Sequence, residues 1–361
     1  MRFTLFSDFS DEEAVPSEVA WRSECPMIVS HGLAPVAHRL IHDRSIPVPE
    51  AVVKEFSDAR FFDSAFTMTV VSRSRAGIDA LRAAEIPFVV TKGPGIAKVC
   101  ATVSDRPFAD LDVVVGHDKF RSARDVLRHS GYAEQSRTIQ PWDSFNWICR
   151  EATNLRTPDG GSIDLHHRVS PWYWSSGLGL DHLVSGVEET AFFGVQLPLV
   201  STVDNLLVAA LHVVSDRSRP GQTFRVWRDL LILLNSCSID DVVAAATRAG
   251  LADWLAWILG CLPDRVRPDE VVEALRDAPG DLTGGFRLRM LLPPGLASQN
   301  LLGHVFRLPW PNACWFVAGM VVPSPSYLEL RYPTAHGRYV RWWLDSLRNV
   351  GPAERAGPAI D

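Results

Sequence analysis

The chain has 361 residues, of which 47% are hydrophobic and 22% charged, and its formal net charge is −6. These values exclude a disordered or collagen-like chain and provide no global pull toward nucleic acid or anionic lipid. A chain of this length is expected to divide into two domains.

Residues 1–85 read as mainly helical. VSHGLAPVAHRLIHD and SRAGIDALRAAEIP both carry apolar residues at helical spacing. The opening MRFTLFSDFSDEEAV turns acidic after a few residues, without a basic stretch followed by a long apolar run, so no secretory signal is expected. PFVVT (87–91), DLDVVV (110–115) and FNWIC (145–149) are short apolar runs that read as strands. HDKFRSARDVLRHSG, between the last two, reads as an amphipathic helix that starts near His117 or Asp118 and is capped at Gly131. NLRTPDGGSIDLHH reads as a β-hairpin with PDGG as its turn.

From about Pro171 the chain reads as helical again, through TVDNLLVAALHVVSD, FRVWRDLLILLNS and DDVVAAATRAGLADWLAWILG. Arg228 and Asp229 read as a helix-packing pair, and the aromatics of PWYW (171–174) and LPWPNACWF (308–316) as packing groups. The longest apolar stretch, 314–322, is too short to span a bilayer. Cys25, Cys100, Cys149, Cys237, Cys261 and Cys314 are scattered, with no C-x-x-C pair. Neither a zinc site nor a disulfide framework is expected; buried reduced thiols in a cytoplasmic protein are.

The chemistry concentrates in a few positions. In a strand, Asp110 and Asp112 point to one face while Leu111 and Val113 point to the other. Two carboxylates side by side repel, so a cation is expected between them. Asp164, flanked by Ile163 and Leu165, is a third acid in a strand, where it is a poor β-former and a poor core residue. If the hairpin pairs beside 110–115, three carboxylates converge. Hard oxygen ligands suit Mg²⁺ or Mn²⁺, and three of them can hold two ions for an in-line phosphoryl displacement.

Upstream, PFVVT leads into Lys92-Gly93-Pro94-Gly95 and then a helix-forming segment. A strand, a Gly-rich turn and a helix start read as an anion cradle. Pro94 suits the first helical turn, Lys92 adds a point charge, and Arg106 can grip a phosphate by two N–H bonds. His166, on the same strand face as Asp164, can touch the nucleotide or support the acids.

These motifs in this order resemble the nucleotidyltransferases of the DNA polymerase β superfamily, and within it the bacterial uncharacterised nucleotidyltransferase group. The resemblance is carried by HGLAPVAHRLIHD, VVTKG, RPFADLDVVV, Gly131-Tyr132, IDLHH, His212 and WRDLL, over most of residues 30–235. It implies an α+β fold. A small mixed β-sheet nucleotidyltransferase core (86–170), with helices packed on it, is flanked by an N-terminal helical region (1–85) and a mainly helical C-terminal domain (171–361).

The resemblance also implies an EC 2.7.7 type enzyme that moves an NMP group from an NTP to an acceptor and releases pyrophosphate. Asp110, Asp112 and Asp164 would be its catalytic and metal-binding carboxylates, holding Mg²⁺ or Mn²⁺. Asp164 would be the candidate base. Lys92, Gly93, Gly95, Arg106 and His166 would contact the nucleotide. The acceptor stays open among small molecule, peptide, protein and RNA. No stable membrane insertion is expected, and a monomer is the preferred state. One departure keeps an alternative in play: Gly93 is followed by Pro94 where the wider superfamily has Gly-Ser or Gly-Gly. The alternative is a degenerate binding or regulatory protein on the same fold.

Overall fold

The structure is a computed structural model that describes residues 17–134, 151–169, 178–215 and 223–278, with scattered positions between 310 and 348. The strand expected at 145–149 and the aromatics at 171–174 lie outside the described residues. The chain forms two compact units. One comprises Met1–Glu134, Asn154–Val169 and Ser176–Asp281; the other comprises Gln135–Thr153, Ser170–Ser175 and Leu282–Asp361. In the second unit Leu328, Tyr332 and Trp342 form a small buried cluster. The expected site lies entirely in the first.

The first unit opens on helix α1 (Glu18–Ser30), whose start is fixed by Ser17: its Oγ accepts the Ala20 N–H at 3.2 Å. Gly32, at φ +64°, turns the chain into α2 (Ala34–Asp43), with Pro35 in its first turn. Helix α3 (Glu50–Ala83) is 34 residues long. Trp21, Cys25, Ile28 and Leu33 pack with Phe56 of α3 into one apolar cluster, in which the Trp21 and Phe56 rings meet edge to face.

Seven strands form one mixed sheet: β1 (Phe88–Thr91), β2 (Leu111–Val115), β3 (Ala133–Glu134), β4 (Ala152–Arg156), β5 (Ser162–His166), β6 (Glu188–Phe192) and β7 (Val195–Leu199). Their order is β3-β4-β5-β2-β1-β7-β6. Strand β2 runs antiparallel to β1 and parallel to β5. Between β1 and β2 lie α4 (Gly93–Val99) and a 3₁₀ turn, Val103–Asp105; between β2 and β3 lies α5 (Phe120–His129), followed by Gly131 at φ +92°. The β4–β5 turn closes through the Thr157 N–H to the Gly161 carbonyl at 2.9 Å.

The β6–β7 hairpin falls where the sequence reads as helical. Its turn residues, Phe193 and Gly194, both have positive φ (45° and 78°), as a two-residue hairpin loop requires. Phe-Gly lacks the Asn or Asp that normally signals such a turn, and so the pattern Val195, Leu197, Leu199, buried on alternate positions, goes unflagged.

Helix α3 crosses one face of the sheet at very close range. A Cβ on Gly77 would lie 2.8 Å from Ile163 Cδ1, 2.8 Å from the Tyr132 hydroxyl and 2.9 Å from Leu127 Cδ2. Ile163 and its neighbours Leu111, Val113 and Leu165 therefore form the covered face, all fully buried. Alternation sends Asp112, Asp164 and His166 to the opposite face.

After a short helical turn at Leu180–Leu183, the longer helices that follow in this unit are α6 (Thr202–Ser215), α7 (Thr223–Asn235), α8 (Ile239–Arg248), α9 (Ala252–Gly260) and α10 (Asp269–Arg276). Gly250, at φ +66°, separates α8 from α9. Among the described residues no single helix is long and apolar enough to cross a membrane. The cysteines depart from the buried expectation: Cys25 is buried, Cys100 and Cys237 are half-buried, and Cys261 and Cys314 are exposed. Singly exposed apolar side chains of this kind are common on protein surfaces.

Replacing Gly77 by valine is expected to overpack the α3–sheet contact and destabilise the protein by about 1–3 kcal/mol. Urea unfolding should show a lower midpoint at unchanged slope.

Candidate functional site

The site is built by register. Asp112 of β2 pairs directly with Asp164 of β5, and Thr91 of β1 pairs with Asp112 on the other side. Lys92 is the next residue after Thr91. Three adjacent strands thus deliver an acid, a second acid and the root of a lysine to one edge of the face opposite α3. Asp110 sits immediately before β2, half-buried.

A cation is expected between Asp110 and Asp112; the structure instead sets Lys92 against Asp112 and His166 between Asp112 and Asp164. Lys92 Nζ donates to Asp112 Oδ1 at 2.6 Å. His166 Nε2 lies 3.1 Å from Asp112 Oδ1 and 3.1 Å from Asp164 Oδ2, and its Nδ1 lies 3.2 Å from the Arg168 carbonyl. Burial disfavours the imidazolium, but Asp164 and Asp112 outweigh it and raise its pKa to about 10. Burial likewise opposes the Lys92 charge, and Asp112 first, then Asp164, hold it above the ordinary lysine value. Burial opposes ionisation of Asp112 and Asp164 too. Lys92 and His166 overcome it at Asp112, and His166 first at Asp164, so both carboxyls fall below the usual range.

Three acids against two cations leave one negative charge over, and Asp110 bears the strain. Burial, then the charges of Asp112 and Asp164, push its carboxyl up to about 6.

Asp112, Asp164 and His166 can each offer one ligand atom, and those atoms lie within 4.8 Å of one another. Opposite ligands on an ion with roughly 2.1 Å bonds are about 4.2 Å apart, so a small inward movement of the side chains would bring a set of this spread into one coordination sphere. Two carboxylates with an imidazole suit Mn²⁺ better than Mg²⁺. Ligation by His166 requires loss of its ring proton, so cation and proton compete for this site. Histidine thus enters the ligand group from a position the sequence assigned to the nucleotide, and Asp110 stands beside the group.

The turn after β1 is held under tension. Lys92 has φ 55° and ψ −114°, a conformation rare for a non-glycine residue. Asn205 of α6, fully buried, clamps it: Oδ1 accepts the Lys92 N–H at 2.6 Å, and Nδ2 donates to the Lys92 carbonyl at 3.3 Å. A Cβ on Gly95 would lie 2.6 Å from Asn205 Nδ2, and one on Gly93 would lie 2.7 Å from Phe108 Cγ. Both glycines are therefore required for close packing against protein groups. Asn205 has no signal in the sequence beyond a polar residue inside an apolar helical stripe.

Arg106 is placed away from the acids. It is buried, and its Nε donates to both carboxylate oxygens of Asp229 on α7, at 2.8 and 2.7 Å. It also bonds the Pro107 carbonyl. Asp229 thus pairs across the fold with Arg106, not with its chain neighbour Arg228.

The family model described as uncharacterised nucleotidyltransferase matches residues 17–266, and the chain belongs to that family. The match spans the acid cluster, the Lys92 turn and helices α1 to α9. No curated protein matches the chain. Among solved structures, the chain is similar to an antigenic nucleotidyltransferase-like protein from Paracoccidioides brasiliensis. The two are 14% identical over 60% of this chain and 94% of that one, with a TM-score of 0.33.

Removing one partner of the Arg106–Asp229 pair leaves a buried charge alone. Arg106→Met is expected to cost about 3–5 kcal/mol, and Asp229→Leu a similar amount. The double variant should recover most of the loss. A double-mutant cycle of urea unfolding free energies checks this; strictly additive losses would show that the two residues are not coupled.

Proposed function

We propose that the protein transfers a nucleotidyl group from an NTP to an acceptor hydroxyl, with release of pyrophosphate. The observation that carries this reading is the pairing of Asp112 with Asp164 on adjacent parallel strands, with Asp110 alongside and Lys92 at the next strand end. Asp112 and Asp164, with His166 touching both, would hold the divalent cation, and Asp110 adds a third carboxylate. A bound Mn²⁺ or Mg²⁺ supplies charge neutralisation for the triphosphate and a lowered pKa for the acceptor hydroxyl.

The chain's own residues do the rest. Lys92 holds Asp112 ionised in the cation-free protein and offers its ammonium to the β and γ phosphates in the substrate complex. Asp164 takes the acceptor's proton as its oxygen bonds to the α phosphorus. The bond from that phosphorus to the bridging oxygen breaks, and its electron pair leaves with pyrophosphate. His166 bridges Asp112 and Asp164 and so fixes the spacing of the two carboxylates. Arg106 supports the loop before Asp110 through Asp229 and has no part in holding phosphate. A cytoplasmic setting and a monomeric state belong to the same proposal.

A second reading draws on a specific observation. Lys92 and His166 already satisfy the acids, and the glycines of the turn are filled by Phe108 and Asn205. A binding or regulatory protein would retain such a cluster without turnover.

The two readings separate in one experiment. The pure protein is incubated with α-labelled NTPs, Mn²⁺ or Mg²⁺ and a cell extract. Transfer predicts a labelled acceptor, loss of labelling in EDTA, and recovery on adding Mn²⁺. Asp112→Asn should lower labelling about a hundredfold or more. Binding of NTP and Mn²⁺ by titration calorimetry with no labelled product would establish the binding protein instead.

A further inference from the structure

Helix α2, the C-terminal end of α4 and helix α7 line a half-open pocket of about 360 Å³. Small-molecule sites span roughly 300–1,000 Å³. One side of the cavity is apolar, with Leu231, Ile232 and Val266. The other carries Arg39, Arg228 and Arg265, and no carboxylate is among its described lining residues.

The arginines differ in how they are held. Arg39 is committed to acids: Nε donates to Asp105 Oδ2 at 2.7 Å and Nη1 to Asp43 Oδ2 at 3.2 Å. Arg228 is only 6% exposed, yet it forms no ion pair among the described residues. Its hydrogen bond there runs from Nη1 to the backbone carbonyl of Asp105 at 3.3 Å. The adjacent acid, Asp229, is taken by Arg106. A guanidinium offers five N–H donors in a planar fork, and Arg228, on the pocket wall, spends one of its nitrogens on a carbonyl among the described residues and keeps donors for an anion. An arginine in that condition at a cavity wall is accounted for by an anion that occupies the cavity.

We propose that this cavity binds a small molecule carrying an oxyanion, phosphate or carboxylate, on an apolar body, with Arg228 as its anchor. The fork of Arg228 matches either oxyanion by two N–H bonds. Arg39 and Arg265 line the same side of the pocket, and the Leu231–Ile232–Val266 wall takes the apolar body. None of the lining residues belongs to the Asp110–Asp112–Asp164 cluster, so the site stands whether or not the protein transfers nucleotides.

The test uses phenyl phosphate and benzoate as probes and phenol as the uncharged control, in EDTA, by titration calorimetry on the full chain. Wild type should bind at least one of the two anions and bind phenol at least tenfold more weakly. Arg228→Met should weaken anion binding at least tenfold, and Arg228→Lys, which keeps the charge but not the fork, by an intermediate factor. Asp112→Asn should bind the anion as wild type does. Circular dichroism confirms that each variant folds; if Arg228→Met does not, Arg228→Lys decides. Failure of both anions to bind wild type would overturn the proposal. So would anion affinity unchanged by loss of the Arg228 fork, or anion binding abolished by Asp112→Asn.

Discussion

Asp112 stands opposite Asp164 because β2 and β5 run parallel in a register that pairs the two acids. Everything else at the site answers the repulsion this creates. Two carboxylates on adjacent strands in a nearly dry edge are tolerable only with cations in contact, and the fold brings two: Lys92, one residue beyond the β1 partner of Asp112, and His166, two residues beyond Asp164 on the same face. The same register places Leu111 beside Ile163 on the far face, where α3 covers them. A slip by one residue would put the acids under α3 and turn Leu111 and Val113 to the side of Lys92 and His166. The packing of the core and the placement of the acids are one constraint.

Lys92 reaches Asp112 from a strained backbone, and strain of this kind persists only where the surroundings over-determine it. Asn205 does so by bonding both the N–H and the carbonyl of Lys92. The helix behind the turn thus belongs to the site as much as the strands do. The glycines serve this arrangement: each leaves room for a protein side chain that braces the turn, Phe108 at Gly93 and Asn205 at Gly95. Phe108 is itself tied to α3, its N–H donating to Thr67 Oγ1 at 3.2 Å.

The local parts of this design were legible before the fold was known. Alternation in DLDVVV and SIDLHH placed three acids among apolar neighbours, and PDGG marked the hairpin that returns Asp164 to the sheet. What was not legible depends on pairing between distant segments. His166 as a bridge between Asp112 and Asp164 needs the β2–β5 register. The Arg106–Asp229 pair spans 123 positions, and local reasoning assigned each residue to a nearer role, a phosphate for one and Arg228 for the other. The β6–β7 hairpin was hidden because Phe193 adopts positive φ without the residue types that usually do. Its edge partner β1 accepts β7 in parallel, through Val90 and Leu199, a contact no local pattern announces.

The stretch between Gly93 and Asp110 does more than join α4 to β2. It forms the Val103–Asp105 turn, which is gripped from two sides. Arg39 of α2 binds the Asp105 carboxylate, while α7 holds the Asp105 carbonyl through Arg228 and Arg106 through Asp229. Neighbouring residues of α7 therefore meet opposite fates. Asp229 is fully satisfied by a guanidinium, whereas Arg228 spends one hydrogen bond on a carbonyl and faces the cavity that Cys100 and Ala101 help to wall. Had this segment served only to bridge α4 and β2, a neutral side chain at 228 would close the packing without a buried charge. The charge has meaning if the same segment that braces the acid cluster on one side also forms the wall of an anion site on the other.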